Sequence, residues 1–207
     1  MAAGLQDVIA GRSRICFIDG EKGLLSYRGY NIHELAPNAT FEETAHLLWF
    51  GSLPTASELE DTSSRLVESR AISDDVIAIL RHAPKTAMPM ETLRTGVSAL
   101  SMFDPESEDG SPEANIRKAI RLTSQTATVV AAAARLRNGN DPVPPRTDLG
   151  HAGNYYYMLT GEAPNETVER ALDISLILHA DHEWNASTFA GRVTAATLSD
   201  MYSAVTS

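Results

Sequence analysis

Three features that mark large classes of proteins are scarce in this sequence: cysteine, an excess of positive charge, and long apolar runs. Cys16 is the only cysteine among the 207 residues, so no disulfide can form within the chain and a reducing compartment, the cytoplasm, is expected. The longest run of small, mainly apolar residues, 127–134, is far too short to cross a bilayer. We therefore expect a soluble protein with no membrane partner.

Positive charge is outweighed by negative charge. The 27 acidic residues exceed the 17 basic ones and give a formal charge of −10 at pH 7, which repels the phosphates of nucleic acids and of anionic membranes. Nucleic acid is therefore not expected as a partner. Part of the acidic excess falls in the segment 104–109, Asp-Pro-Glu-Ser-Glu-Asp, which predicts a solvated loop.

The only clear β pattern lies in residues 14–28. Two apolar and aromatic arms, 14–18 and 24–28, flank a short loop that contains two glycines, and this arrangement predicts a β-hairpin. Cys16 lies in the first arm and is expected to be a buried small hydrophobe rather than a nucleophile. A two-stranded hairpin is marginal alone, so we expect it to pack against helices.

Beyond Tyr30 the sequence reads as a series of helices. Small polar residues precede several apolar segments and predict N-caps, and glycines at 51 and 161 predict helix ends. The predicted helices begin after Thr40, Thr55, Ser73 and Ser111 (running to Arg137), at Thr147, and after Asn165 (running to about Glu183). A further segment, 88–103, is apolar on several faces, which predicts an interior helix or one in a subunit interface. The predicted fold is all-α with a small N-terminal β-hairpin.

The densest chemistry in the sequence lies in residues 179–187. This segment contains two histidines, two acids and an asparagine directly after a strongly apolar stretch. If the preceding helix continues to Glu183, a step of about 100° per residue places His179, His182 and Glu183 on one face and turns Asp181 away. Polar groups are costly to bury unless they are paired or used, so the segment is a candidate site.

Three interpretations of this cluster are open from the residues alone. The side chains can satisfy one another or cap neighbouring carbonyls, as buried polar groups usually do. A metal site formed by His179, His182 and Glu183 is a weaker alternative, because the zinc-protease pattern His-Glu-x-x-His would need histidine where Ala186 stands, and we predict no metal. A substrate anion fits better, because imidazole N–H groups donate to carboxylates and polarised carbonyls. Further donors follow downstream: Asn185, Ser187 and Thr188.

These residues resemble a known family, the bacterial and archaeal citrate synthases. The segments 179–189, His-Ala-Asp-His-Glu-Trp-Asn-Ala-Ser-Thr-Phe, and 198–204, Leu-Ser-Asp-Met-Tyr-Ser-Ala, carry most of the resemblance. Earlier motifs agree in order and spacing: 18–23, 27–30, 53–55 with 58–59, 89–90 with 93–95 and 97–98, and 154 with 157–161. One position departs from the pattern, because the family usually has histidine before Pro-Met and Met88 stands there in this chain.

The resemblance implies an acyltransferase of the tricarboxylic acid cycle with the helical large-domain fold of citrate synthase. Such an enzyme condenses acetyl-CoA with oxaloacetate and water to citrate and CoA, forms a homodimer, and needs no cofactor beyond its substrates. In the family, an aspartate removes the methyl proton, one histidine stabilises the enol, and a second histidine polarises the oxaloacetate carbonyl. By position, His182 matches the oxaloacetate-contacting histidine, and no catalytic residue is assigned in this chain.

The family's other catalytic motifs, Gly-Pro-x-His-Gly-Gly-Ala-Asn, Gly-His-x-Val/Arg-Tyr and a late aspartate, do not occur in these 207 residues. The resemblance therefore implies that residues 1–207 form the N-terminal part of the large domain, without the small domain and the C-terminal return. We expect this truncated chain alone to be inactive.

The sequence leaves two alternatives to citrate synthase open. One is 2-methylcitrate synthase, which uses propionyl-CoA, although the segment 179–181, His-Ala-Asp, resembles the citrate enzymes more than the Tyr-Ala-Glu of the propionate-specific ones. The other is a non-catalytic helical fragment that serves oligomerisation.

Overall fold

The structure is a computed structural model that describes residue 11 and residues 13–207. Its β part is a three-stranded antiparallel sheet with the order β1-β2-β3. The strands are β1 Cys16–Asp19, β2 Leu24–Tyr27 and β3 Tyr30–Asn31. The predicted hairpin is confirmed, with Cys16 opposite Tyr27 and Asp19 opposite Leu24. The third strand was not predicted, because two residues are too few to show an alternating pattern.

Ten α-helices follow the sheet within the described residues. They are α1 Ile32–Asn38, α2 Phe41–Phe50, α3 Ala56–Glu68, α4 Asp74–Arg81, α5 Pro89–Leu100, α6 Pro112–Arg137, α7 His151–Thr160, α8 Glu166–Leu178, α9 Ala186–Ala196 and α10 Met201–Thr206. A short 3-10 turn, Ser101–Phe103, continues α5. None of the helices in this part of the chain is long and apolar enough to cross a membrane. The all-α prediction with a small N-terminal hairpin is confirmed.

The predicted helix signals are confirmed at most ends. Thr40 and Thr55 each accept a hydrogen bond from a backbone N–H in the first turn, and a glutamate in that turn returns a bond to the cap residue, which satisfies two otherwise unpaired donors. Gly51 and Gly161 adopt left-handed φ angles of 93° and 89°, a conformation that glycine enters at no steric cost. Local sequence therefore fixes these boundaries.

The predicted start of a helix at Thr147 is wrong, because α7 begins at His151. The buried guanidinium of Arg70 donates to the carbonyl oxygens of Arg146 and Leu149, and the Asn154 side chain accepts from the Arg146 N–H at 2.8 Å. These bonds hold the backbone before His151 in a non-helical conformation. A partner about eighty residues earlier in the chain thus overrides the local pattern.

Helix α5 is buried on one face only, so the prediction of an interior helix for 88–103 is wrong within this chain. Val97 and Leu100 lie in a core formed with α4, α6 and α10, whereas Met90 and Met102 on the same segment are 69% and 66% exposed. Met88, at the position where the resembled family has histidine, is also exposed and donates its N–H to Glu91 at 2.9 Å. The interface alternative stays a prediction.

The prediction of a solvated loop for 104–109 is only partly right. Glu108 and Asp109 are exposed, but Asp104 is buried and accepts hydrogen bonds from Arg121 and from the hydroxyl of Tyr202. The ammonium of Lys118 is also buried and donates to the carbonyl oxygens of this loop. Cations on α6 therefore anchor the segment, which composition alone did not indicate.

A second core cluster joins the sheet to α1, α2 and α8. It contains Tyr27, Ile32, Leu35, Leu47 and Ile177. Tyr27 is completely buried, and its ring fills the space between the hairpin and the end of α8. The hairpin is therefore stabilised by packing on helices, as predicted, and it positions the chain that leaves α8.

Candidate functional site

The predicted continuation of α8 to Glu183 is wrong. The helix ends at Leu178, and residues 179–185, termed here the 179–185 loop, are irregular. His179, His182 and Glu183 therefore do not share one face of a helix. The stretch 174–178 is also not buried all round, because Ile177 is fully buried and Leu178 is 43% exposed.

Tyr27 explains why the helix stops. Its hydroxyl oxygen lies 3.0 Å from the carbonyl oxygen of Ile177, and 3.3 Å from those of Leu178 and Asp181. The hydroxyl donates its single hydrogen to one of these carbonyls at a time, and burial raises the pKa of Tyr27, so it remains a neutral donor. A residue of the hairpin thus supplies one hydrogen-bond donor to a helix end whose carbonyls would otherwise lack one.

His179 is the first residue past α8 and contacts the helix itself. Its Nδ1 lies 2.7 Å from the carbonyl oxygen of Ser175, and because a carbonyl only accepts, Nδ1 carries the hydrogen. The side chain therefore caps the helix end. This agrees with the first of the three interpretations, in which the polar side chains cap neighbouring carbonyls. This histidine is not aligned with His182.

Glu183 turns toward the hairpin. It adopts a left-handed φ of 55°, which costs a residue with a side chain about 1 kcal/mol, and its carboxylate accepts the N–H of Ile18 at 2.6 Å. Its own N–H donates to the Asp181 carboxylate at 2.9 Å. These two bonds offset the backbone strain and fix the loop on strand β1. Glu183 is thus a docking residue, which sequence reasoning missed.

Asp181 faces the buried thiol of Cys16. Burial, followed by a hydrogen bond with Asp181, raises the pKa of Cys16 to about 12. The thiol stays protonated at neutral pH, and the side chain is only 8% exposed. The interpretation of Cys16 as a buried small hydrophobe is confirmed.

His182 lies between two acids that both point inward, and its own side chain is exposed. Its imidazole makes no hydrogen bond with any residue that the structure describes. Of the two histidines in the 179–185 loop, it is the one whose two ring nitrogens both remain available to a ligand, since Nδ1 of His179 bonds Ser175. The structure thus separates the two histidines that the helical pattern had placed together.

The end of the loop is formed by Trp184 and Asn185. Asn185 accepts the backbone N–H of Thr188 at 2.8 Å and so caps α9, which commits its side-chain oxygen to the helix start. The guanidinium of Arg192 lies 3.6 Å from the centre of the Trp184 ring, a cation–π contact. Arg192 therefore brings a positive charge next to the loop, and sequence reasoning missed this residue.

Within residues 11 and 13–207, no group of three histidine, cysteine or acidic side chains is arranged to hold a metal ion. Two further histidines serve packing: His46 bonds Thr62 at 2.8 Å, and His151 stacks on Phe41 with ring centres 4.8 Å apart. Burial, with the nearby Arg70 charge, lowers the pKa of His151 to about 4.

Comparison with known proteins identifies the family. A family profile described as citrate synthase, C-terminal domain, matches residues 4–207. The citrate synthase of Haloferax volcanii is 48% identical over 99% of this chain and 55% of its own length. The chain belongs to the citrate synthase family. A crystal structure of the citrate synthase from Pyrobaculum aerophilum superimposes with a TM-score of 0.92 at 41% identity, covering 98% of this chain and 53% of that one.

The chain spans about half the length of the relatives that it matches, 55% of the Haloferax volcanii protein. A protein named 2-methylcitrate synthase from Mycobacterium tuberculosis also matches, with 40% identity over 98% of this chain and 51% of that relative. Family membership and fold are thus established, whereas the choice of acyl-CoA rests on other arguments.

Proposed function

We propose that this chain is the oxaloacetate-contacting part of a citrate synthase, with His182 as the contact. The supporting observation is the geometry of the 179–185 loop, in which Glu183 bonds the Ile18 N–H and Asp181 bonds the Cys16 thiol, both in the hairpin, while His182 stays exposed. In the complete reaction, the methyl carbon of acetyl-CoA forms a bond to the keto carbon of oxaloacetate. Water then cleaves the thioester, which gives citrate and CoA.

An imidazole held in this way suits the proposed role. Negative charge develops on the keto oxygen of oxaloacetate as the new carbon–carbon bond forms, and a fixed N–H donor stabilises that charge. The loop is fixed by Tyr27 and Glu183 before any substrate arrives, so little ordering is needed at the moment of reaction. Arg192, close to the loop through its contact with Trp184, adds positive charge near the two carboxylates of the substrate.

The proposal includes the wider setting of the enzyme. We place the reaction in the tricarboxylic acid cycle and the protein in the cytoplasm, with acetyl-CoA and oxaloacetate as substrates and no further cofactor. We also propose a homodimer. The exposed side chains of Met102, in the 3-10 turn that continues α5, and of Leu178, at the end of α8, supply apolar surface that supports association.

Binding of oxaloacetate to the purified chain tests the role of His182. We expect isothermal titration calorimetry to detect oxaloacetate binding that is lost in His182→Ala. The matched control is His179→Ala, which removes a second exposed imidazole of the same loop and is expected to keep the affinity. Equal affinity in the His182→Ala variant and in the unaltered chain would refute the assignment.

Turnover is a separate question. The 207 residues lack the motifs that carry the family's enol-stabilising histidine and base, so a thiol-release assay with acetyl-CoA and oxaloacetate should give no CoA from this chain alone. Robust CoA release would overturn the expectation of inactivity and would show that other residues here perform the chemistry.

The alternative of 2-methylcitrate synthase rests on the relative of that name at 40% identity. We favour acetyl-CoA because residues 179–181 read His-Ala-Asp and because the 48% identical relative is a citrate synthase. Rates with acetyl-CoA and propionyl-CoA on a complete enzyme that contains this chain distinguish the two. A higher kcat/KM with propionyl-CoA would establish the alternative.

A further inference from the structure

A cavity of about 660 Å³ opens between the C-terminal ends of α4 and α6 and the N-terminal end of α5. This volume lies within the range of about 300–1,000 Å³ that is typical of small-molecule sites. Its walls are apolar and include Leu80, Met90, Leu93, Val130, Ala133 and Leu136. None of the residues that line it belongs to the 179–185 loop, so the proposed oxaloacetate contact does not explain it.

Positive charge surrounds this cavity. Three cations, Arg81, Lys85 and Arg137, and one acid, Asp141, line it, which gives a local net charge of +2 in a chain whose formal charge is −10. Since most of the surface repels anions, a positive cavity mouth concentrates them at this position. The charge pattern therefore favours an anionic ligand over a neutral or cationic one.

The four charged side chains are not equally available. Arg81 is paired with Asp141 at 2.7 Å, and Arg137 donates to the carbonyl oxygen of Ala87. The ammonium of Lys85 is exposed and makes no ion pair with any described residue. Lys85 is thus the cation that can bind a ligand without breaking an existing contact.

We propose that this cavity binds an organic anion with an apolar body, in which the carboxylate pairs with Lys85 and the body fills the space between α5 and α6. The apolar walls favour burial of a ring or a short alkyl chain. The exposed ammonium at the edge supplies the polar group that fixes the orientation of the ligand. An arylalkanoate, such as 4-phenylbutyrate, has this chemistry and serves as the probe.

A titration of the chain with 4-phenylbutyrate, followed by methyl NMR, tests the site. We expect saturable shifts of the methyl signals of Leu80, Met90 and Leu93, and none for Leu47 and Met158, which are buried elsewhere. The neutral analogue 4-phenylbutanol should bind at least about fivefold more weakly, because it lacks the charge that Lys85 attracts. Absence of saturable shifts, shifts that also include Leu47 and Met158, or equal binding of the alcohol would overturn the proposal.

Two variants with the same net charge test whether the carboxylate of the ligand binds next to Lys85. Lys85→Glu and Lys22→Glu both change the formal charge from −10 to −12, and Lys22 is 73% exposed in the hairpin, away from the cavity. We expect Lys85→Glu to weaken binding of 4-phenylbutyrate about tenfold and Lys22→Glu to weaken it less than about twofold. Equal effects would show that only the overall charge matters. The comparison of acid with alcohol on the unaltered chain decides the question independently of either variant.

Discussion

The loop 104–109 and the 179–185 loop are both irregular and both contain carboxylates, but they are held on the helical core by different interactions. In the loop 104–109, Asp104 and Glu106 bind the guanidinium of Arg121, and Asp104 also accepts the hydroxyl of Tyr202. In the 179–185 loop, a buried tyrosine binds backbone carbonyls and one carboxylate accepts a backbone N–H. One loop depends on paired charges, the other on backbone hydrogen bonds.

Under the proposed function, the difference separates a structural role from a functional one. In the loop 104–109, the arginines that anchor Asp104 and Glu106 also neutralise them, so neither anchoring carboxylate is left for a ligand; the acids that stay exposed there are Glu108 and Asp109. In the 179–185 loop, the anchoring bonds use Tyr27, Asp181 and Glu183, and His182 remains exposed. Anchoring through the backbone thus leaves a chemically useful side chain available.

The largest effect is expected from Arg121→Ala. This change leaves the carboxylate of Asp104, whose side chain is 4% exposed, buried without its cation. Since breaking a buried pair by removing one partner is strongly destabilising, we expect a loss of about 3 kcal/mol in the free energy of unfolding, measured with urea. The control is Arg65→Ala, whose partner Asp61 is 66% exposed and which should cost at most about 1 kcal/mol. Equal losses would contradict the comparison.

The charge-paired loop should also be the acid-sensitive one. The hydrogen bonds from Arg117 and then Arg121 lower the pKa of Glu106 from 4.5 to about 2. Burial raises the pKa of Asp104, but bonds from Tyr202, the Glu106 N–H and Arg121 outweigh it, so the net shift is downward.

Because these pKa values are depressed on folding, the stabilisation is present above the unfolded values and is lost as the pH falls through the folded ones. The difference in unfolding free energy between the unaltered chain and Arg121→Ala should therefore shrink from pH 5 to pH 2. A difference that stays constant over this range would show that the carboxylates contribute through packing rather than charge.

A smaller effect is expected from Tyr27→Phe, which removes the hydroxyl at the end of α8. We expect a loss of about 1.5 kcal/mol, because buried carbonyls lose a donor, together with faster amide hydrogen exchange in residues 179–183. The matched control is Tyr30→Phe, since the Tyr30 side chain is 39% exposed. If exchange in the 179–185 loop were unchanged, Tyr27 would not be what holds the loop.

The smallest effect is expected from Glu183. The change Glu183→Gln keeps an acceptor oxygen for the Ile18 N–H and should cost less than about 1 kcal/mol. Glu183→Ala removes that acceptor, so the Ile18 amide should then exchange faster than in the glutamine variant. The control is Glu21→Ala at the exposed tip of the hairpin. Slow exchange at Ile18 in Glu183→Ala would mean that this bond does not dock the loop.

Most of the fold could be predicted because its signals are local. The caps at Thr40 and Thr55 and the glycines at 51 and 161 act within a few residues of the helix ends that they define. The prediction of a solvated loop for 104–109 was only partly right, although the sequence contains a signal against it. Arg117 and Arg121 lie four residues apart and share a face of the helix that follows the acids. An acidic segment should therefore be predicted as solvated only if the neighbouring helix has no basic residues that can bind it.

The candidate site could be predicted only in part. The resemblance proposes His182 as the oxaloacetate contact, but the separation of His182 from His179 was not predicted, because Tyr27, whose hydroxyl binds at the end of α8, lies 150 residues earlier than its partner Ile177. The docking of Glu183 likewise depends on Ile18 in the hairpin. Contacts between such distant residues leave no trace in helical periodicity, which is why the pattern extended the helix too far.

We propose that the 179–185 loop presents His182, and not His179, to oxaloacetate. Imidazole NMR signals of the two histidines, followed while oxaloacetate is added to the chain, test it most directly. We predict saturable shifts of the His182 ring, while His179 keeps the Nδ1–H signal that reports its bond to Ser175. A His182 ring that does not respond, or a His179 ring that responds as strongly, would contradict the claim.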